Sequence, residues 1–138
     1  KSFAPGGVTA LTARAASVRQ GGMSVVAPAV TAGGISALAL KSHALVKASV
    51  FASLIATPAE GYALACLALA AARDPPYDAI TAPTLIIAGN EDKTCPMATV
   101  DFLASAIKGA KVVTLTDVGH WHQVEDIEGV AEAIMEFI

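Results

Sequence analysis

The sequence lacks any concentration of basic residues. Its 138 residues contain nine Lys and Arg, scattered singly, against twelve Asp and Glu, and the formal net charge is −3. Charged residues of all kinds make up only 15% of the chain. Because binding to a phosphate backbone needs a basic patch or stripe, this pattern argues against a nucleic-acid partner.

An apolar run long enough to cross a bilayer is also missing. The longest uncharged apolar run, residues 62–72, has eleven residues, whereas a membrane-spanning helix needs about 20. Hydrophobic residues make up 54% of the chain, but many are alanines, which favour helix formation rather than lipid. No sustained apolar segment follows Lys1, so no signal peptide is visible. We therefore expect a globular chain without a membrane partner.

The two cysteines have no metal-ligand spacing. Cys66 lies in a predicted helix and Cys95 in a polar turn. We interpret them as free thiols in a reducing compartment, which predicts a cytoplasmic protein. The sequence predicts neither a metal nor a cofactor.

The first part of the chain, to about residue 80, has helical patterns separated by Gly and Pro. Residues 1–7 are predicted to be a loop, and residues 8–30 two short helices broken at Gly21 and Gly22. A third helix is predicted over 44–55, with Leu45, Phe51 and Ile55 as its apolar contacts.

The clearest helix start is at residues 57–60. Thr57 is the expected N-cap, Pro58 the first helical residue, and Glu60 the partner that completes a capping box. This helix is predicted to end near Ala72, before a pair of prolines.

The second part of the chain predicts a β-α-β-α unit. Strands are expected at 84–88 and 111–115, with a helix between them that Pro96 opens and Gly109 closes. A last helix, over 127–138, should bury an apolar stripe; its expected members are Ile127, Val130, Ile134 and Phe137. Two parallel strands leave both outer edges unpaired, so we expect other strands to complete a larger sheet.

An acidic turn follows the first predicted strand and a histidine turn follows the second. Because both turns lie past the C-terminal ends of parallel strands, Asp92 and His120 should meet although 28 residues separate them. A histidine that acts as a general base needs a carboxylate on its far nitrogen to hold one tautomer. The two residues are therefore candidate catalytic groups.

Neighbouring polar residues have more ordinary interpretations. We expect Glu91 to point to solvent and His122 to be structural, aimed away from His120. Glu125 and Asp126 are predicted to cap the last helix. Trp121 is predicted either to pack under that helix or to touch substrate.

The segments PTLIIAGNEDKTCP and DVGHWHQVED resemble the acid and histidine turns of the α/β-hydrolase family, in particular its 3-oxoadipate enol-lactonase and related lactonase or esterase branch. The resemblance implies the C-terminal part of an α/β-hydrolase fold. Residues 1–80 would be a helical cap and connecting loop, and residues 81–138 the β-α-β-α part of the core. It also implies Asp92 as the triad acid and His120 as the triad histidine. Met23, Phe51 and Tyr62 are candidates for the substrate-facing side of the cap, with helix packing as the alternative.

The chain departs from that family because it has no G-x-S-x-G nucleophile elbow. Ser36 lies in a partial match without a preceding strand, and Cys95 has no elbow. We therefore expect the serine on a separate N-terminal fragment of the same precursor, so that this chain is incomplete alone. The expected reaction is hydrolysis of small esters or lactones. The alternatives are a haloalkane or epoxide hydrolase and a non-enzymatic ligand receptor of the same fold.

Overall fold

The computed structural model describes residues 5–138, and the chain forms two compact units. One unit contains the described residues up to Thr31 together with Phe51–Pro75; the other contains Ala32–Val50 and Pro76–Ile138. The elements of this part of the chain, apart from two single turns of 3₁₀ helix, are α1 (Pro5–Gly21), α2 (Ala27–Gly34), α3 (Ala37–Ser42), α4 (Ala44–Ala56), α5 (Ala59–Ala71), β1 (Leu85–Gly89), α6 (Met97–Ala106), β2 (Lys111–Leu115), α7 (His122–Glu125) and α8 (Ile127–Phe137).

The first unit is organised around the contact between α1 and α5. One hydrophobic core cluster at this contact contains Ala15, Ala63 and Cys66, and such small side chains let two helix backbones approach closely. Outside this core, Arg19 donates two hydrogen bonds to the Glu60 carboxylate, at 2.8 and 2.6 Å. The hydrogen bonds from Arg19, which outweigh the effect of burial, lower the pKa of Glu60.

The Arg19 pair also explains why the predicted capping box is wrong. Glu60 binds Arg19, and α5 has no side-chain cap; its N-cap residue is Pro58. The Thr57 hydroxyl instead donates to the Ser53 carbonyl at the end of α4, at 2.9 Å. The predicted end of this helix is confirmed, since α5 stops at Ala71.

The predicted loop at the start of the chain is wrong for residues 5–7, which belong to α1; residues 1–4 lie outside the described part. Pro5 can occupy the first turn of a helix because the N–H it lacks has no partner there. The predicted break is confirmed: α1 ends at Gly21, and Gly22 has a φ of 71°, which favours glycine.

Helix α4 is confirmed, but its predicted contact face is wrong. Val50 and Leu54, four residues apart, are buried, whereas Leu45 is 83% exposed. Phe51 and Ile55 are also exposed. Helix α3 was not predicted.

In the second unit, β1 and β2 pair in parallel from Leu85↔Lys111 to Gly89↔Leu115, with α6 between them in sequence. This confirms the predicted β-α-β unit. Gly109, with a φ of 77°, lies in the turn before β2. Within residues 5–138 no further strand pairs with either outer edge.

Helix α8 begins where it was predicted to begin, but only half of its predicted apolar stripe is covered. Ala133 is its buried residue and Val130 and Phe137 are half-buried, whereas Ile127 and Ile134 are exposed. The exposed pair lies on the side of the helix that no described element covers.

No single helix among residues 5–138 is long and apolar enough to span a membrane. Helices α4 and α5 reach that length and apolar content only together, across a sharp bend. The division into a cap over residues 1–80 and a core over 81–138 stays a prediction.

Candidate active site

Asp92 lies in the turn after β1 and is held by backbone donors. Its Oδ1 accepts hydrogen bonds from the N–H groups of Thr94 (2.7 Å) and Cys95 (2.9 Å). This is an Asx-type turn, in which the carboxylate organises its own loop. The side chain is only 7% exposed, so Oδ2 has a fixed direction.

His120 comes from the turn after β2. Asp117 has a φ of 58°, a left-handed conformation that reverses the chain after the strand. The His120 ring nitrogen Nδ1 lies 2.9 Å from Oδ2 of Asp92, and 37% of the histidine side chain is exposed. The structure thus brings together the two residues that the sequence predicted would meet.

The two turns approach closely because Gly89, at the end of β1, has no side chain. A Cβ there would lie 2.3 Å from the Val118 carbonyl oxygen and 2.4 Å from that of Gly119. The turns are also joined by a hydrogen bond from the Glu91 N–H to the Val118 carbonyl at 2.9 Å. Glycine at residue 89 is therefore required for the contact that supports the Asp92–His120 pair.

The pKa of Asp92 is lowered. Burial, the largest single effect, raises it, but hydrogen bonds from the Cys95 N–H, the His120 ring and the Thr94 N–H, together with the charge of His120, outweigh burial. Asp92 is therefore ionised at neutral pH. An ionised carboxylate favours the His120 tautomer that carries its proton on Nδ1, which leaves Nε2 with a lone pair to accept a proton.

A cavity of about 210 Å³ lies beside this pair. Its lining is mostly apolar in area, and the polar residues that line it are Asp92, Cys95, Thr99, His120 and His122. His122, the first residue of the one-turn helix α7, lines the same cavity as His120. That it has a structural role and is aimed away from His120 stays a prediction.

Trp121 packs beside His120, with ring centroids 5.9 Å apart and an interplanar angle of 75°. Its indole also lies against Gly34, where a Cβ would be 2.6 Å from Nε1. Trp121 therefore supports the histidine turn from the side; contact with substrate stays a prediction.

Neither nucleophile considered within this chain has an activated geometry. The Ser36 side chain accepts a hydrogen bond from the Ala39 N–H as the N-cap of α3, and Ser36 is 1% exposed. Burial and the Asp92 charge raise the pKa of Cys95, so its reactive thiolate is disfavoured. Ligand atoms of Asp92, Cys95 and His120 lie within 4.8 Å of one another, near enough to share a metal ion. Nδ1 of His120 and Oδ2 of Asp92 already form a hydrogen bond with each other. A metal ion bound by these two atoms would replace the proton of that hydrogen bond.

Two glutamates have contacts that the sequence did not reveal. Glu91 does not point to solvent: its Oε2 accepts a hydrogen bond from the Ala37 N–H at 2.7 Å. Glu125 does not cap α8: its carboxylate accepts from the Gly119 and Ser36 N–H groups. Asp126 does cap α8, accepting from the Gly129 N–H at 2.9 Å, as predicted. The partners of both glutamates in residues 36–37 are more than 50 residues distant, and no sequence pattern signals them.

The remaining predicted site residues lie in the first unit. Met23 is buried, Tyr62 packs against the core formed by Ala15, Ala63 and Cys66, and Phe51 is 40% exposed. Tyr62 thus has the packing role that was the alternative to substrate binding. A substrate role for the three residues stays a prediction.

Three solved structures are similar to this chain. A thermophilic esterase from Thermogutta terrifontis, with malate bound, has 25% identity and a TM-score of 0.92, over 99% of this chain and 51% of the esterase. The enol-lactonase from Burkholderia xenovorans LB400 has 32% identity and a TM-score of 0.84, over 90% and 48% of the respective chains. A hydrolase from Pseudomonas aeruginosa PA01 has 27% identity and a TM-score of 0.86, over 99% and 51%.

The chain thus spans about half the length of these structures. No curated protein sequence matches it. The family model described as TAP-like protein matches residues 54–138, which include both turns of the candidate site. The fold is that of the C-terminal part of an α/β-hydrolase, and the chain belongs to the TAP-like protein family of α/β-hydrolases.

Proposed function

We propose that this chain is the C-terminal part of a serine-type hydrolase that acts on small carboxylic esters or lactones. The observation that carries the proposal is the 2.9 Å contact between His120 Nδ1 and Asp92 Oδ2, at the C-terminal ends of two parallel strands. The similarity to an esterase and an enol-lactonase supports the same reaction class.

In this proposal His120 transfers protons and Asp92 orients it. Nε2 takes the proton from a serine hydroxyl as that oxygen attacks the ester carbonyl, and the resulting imidazolium is stabilised by the Asp92 carboxylate. The imidazolium then gives the proton to the leaving alkoxide, which produces an acyl-enzyme. Water, deprotonated by the same nitrogen, releases the acid and regenerates the serine.

The serine and the oxyanion-binding N–H groups would come from an N-terminal fragment of the same precursor. Two observations support this: the chain has no G-x-S-x-G segment, and the outer edges of β1 and β2 have no strand partner among residues 5–138. In the complete enzyme, residues 1–80 would form the cap and residues 81–138 the end of the core sheet. The two free cysteines suit a cytoplasmic setting.

The test is hydrolysis of an activated ester and of a simple lactone by the full-length protein that contains this chain. His120→Ala should lower turnover by about three orders of magnitude or more, because general base and acid are lost together. His43→Ala is the matched control, since His43 is exposed between α3 and α4. Near-normal turnover by His120→Ala would remove His120 from the mechanism. If the protein hydrolysed haloalkanes or epoxides but no ester or lactone, the proposed substrate class would be wrong.

A further inference from the structure

Glu125 binds the backbone on the N-terminal side of His120. Its Oε1 accepts a hydrogen bond from the Gly119 N–H at 3.1 Å, and its Oε2 accepts one from the Ser36 N–H at 2.8 Å. Both hydrogen bonds are partly buried. One carboxylate therefore joins the histidine turn to the segment that leads into α3.

A third hydrogen bond completes this junction. The His120 N–H donates to the Gly34 carbonyl at 2.7 Å. The two N–H groups at residues 119 and 120 are thus both tied to the same neighbouring segment, one through Glu125 and one directly. The peptide that carries the His120 side chain has little freedom to rotate.

The local chain geometry places Glu125 for this contact. Helix α7 is a single turn, in which the N–H of Glu125 donates to the Trp121 carbonyl at 2.9 Å, so residue 125 returns towards residue 119. Gly119 permits the approach: a Cβ there would lie 2.5 Å from the Gly34 carbonyl oxygen and 3.0 Å from Oε1 of Glu125.

We propose that Glu125 is a positioning residue for His120, which holds the imidazole at its distance and angle from Asp92. The proposal rests on the proposed hydrolase function for its effect on turnover. Its physical basis is that proton transfer requires a fixed geometry, and a displacement of about 1 Å can cost about 100-fold in rate. A carboxylate is needed at this point because it offers two acceptors to two N–H donors.

The test is Glu125→Gln in the full-length protein. The amide keeps one acceptor oxygen, but its NH₂ group would face one of the two N–H donors. We expect kcat for an activated ester to fall about 10- to 100-fold while KM changes less than about twofold. We also expect the downfield proton NMR signal of the His120 Nδ1–H to weaken through faster exchange with water.

Asp126→Asn is the matched control. Asp126 is the adjacent carboxylate and also accepts a backbone N–H, from Gly129, but it caps α8 and does not touch the histidine turn. It should lower the thermal midpoint as Glu125→Gln does, and leave kcat and the Nδ1–H signal near those of the wild type. Equal losses of kcat in both variants would show that Glu125 acts only through stability, and would overturn the proposal.

Glu125→Asp is a second variant that keeps the proposal testable if Glu125→Gln does not fold. It retains the charge but is one methylene too short to reach both N–H groups, so it should fold and show a smaller loss of kcat. Normal kcat in a folded Asp variant would overturn the proposal. If the wild type hydrolyses no ester or lactone, the proposed function fails, whereas the positioning role is still decided by whether the Nδ1–H signal changes in Glu125→Gln alone.

Discussion

Replacing Asp92 by Asn would test the site with little change in shape. The Asn carbonyl oxygen can keep the hydrogen bonds from the Thr94 and Cys95 N–H groups, so the turn after β1 should persist. The Asn NH₂ group would then face His120 Nδ1 across the present 2.9 Å contact. Because two donors repel, Nδ1 must lose its proton to Nε2, and the imidazole can no longer accept a proton from a hydroxyl.

The expected loss of kcat is about 10³- to 10⁴-fold, the size found when a triad carboxylate becomes an amide. Each tenfold loss corresponds to about 1.4 kcal/mol, so the transition state would lose about 4 to 5.5 kcal/mol. The folded state should lose only about 1 kcal/mol, the net worth of one hydrogen bond. Activity would therefore fall far more than stability.

The assay is steady-state hydrolysis of an activated ester by the full-length protein, with urea unfolding of the same samples. Asp101→Asn is the control, since Asp101 is an exposed carboxylate on α6. A loss of kcat below about tenfold, with the His120 tautomer shown by ¹⁵N NMR to have changed, would refute the reasoning that Asp92 controls the base.

The difference in free energy of unfolding between the wild type and Asp92→Asn should also depend on pH. The pKa of Asp92 is lower in the folded protein than its ordinary value near 3.8, so ionised Asp92 stabilises the fold above that value. The contribution is lost as pH falls through the folded pKa. The wild type should therefore lose its advantage over Asp92→Asn below about pH 4.

Three further predictions concern the packing around the site and the first unit. Gly119→Ala should destabilise the fold by about 1–3 kcal/mol in urea unfolding, because its methyl would meet backbone, whereas Gly33→Ala, with open space around it, should be neutral or stabilising. Iodoacetamide at neutral pH should modify Cys95 more slowly than free cysteine, because burial raises the pKa of the Cys95 thiol. The reagent should reach buried Cys66 only after unfolding. Rapid labelling of Cys66 in a mass-spectrometric time course would contradict this. Glu60→Gln should leave the thermal midpoint nearly unchanged because its ion pair with Arg19 is exposed, and a large decrease would show an unrecognised structural role.

The parts of the fold that could be predicted from sequence depend on local signals. The strand Leu85–Gly89 was signalled by a short β-favouring run, residues 84–88, that Pro83 precedes and Gly89 follows, and the break after α1 follows from a glycine pair. The burial of helix faces could not be predicted in the same way. In α4 nearly every residue is apolar or small, so the pattern does not distinguish Val50, which is buried, from Phe51, which is exposed; only tertiary packing decides between them.

The sequence alone determined the β-α-β order and, through it, the meeting of Asp92 and His120, because parallel strands place their C-terminal turns at one edge of a sheet. Tertiary structure alone decided the partners of Glu91 and Glu125. The surroundings of both glutamates were predicted from their positions along the chain. Both in fact accept hydrogen bonds from N–H groups of residues 36–37, which only folding brings near. A carboxylate accepts a hydrogen bond from whichever donor the fold presents, and sequence position does not identify that donor.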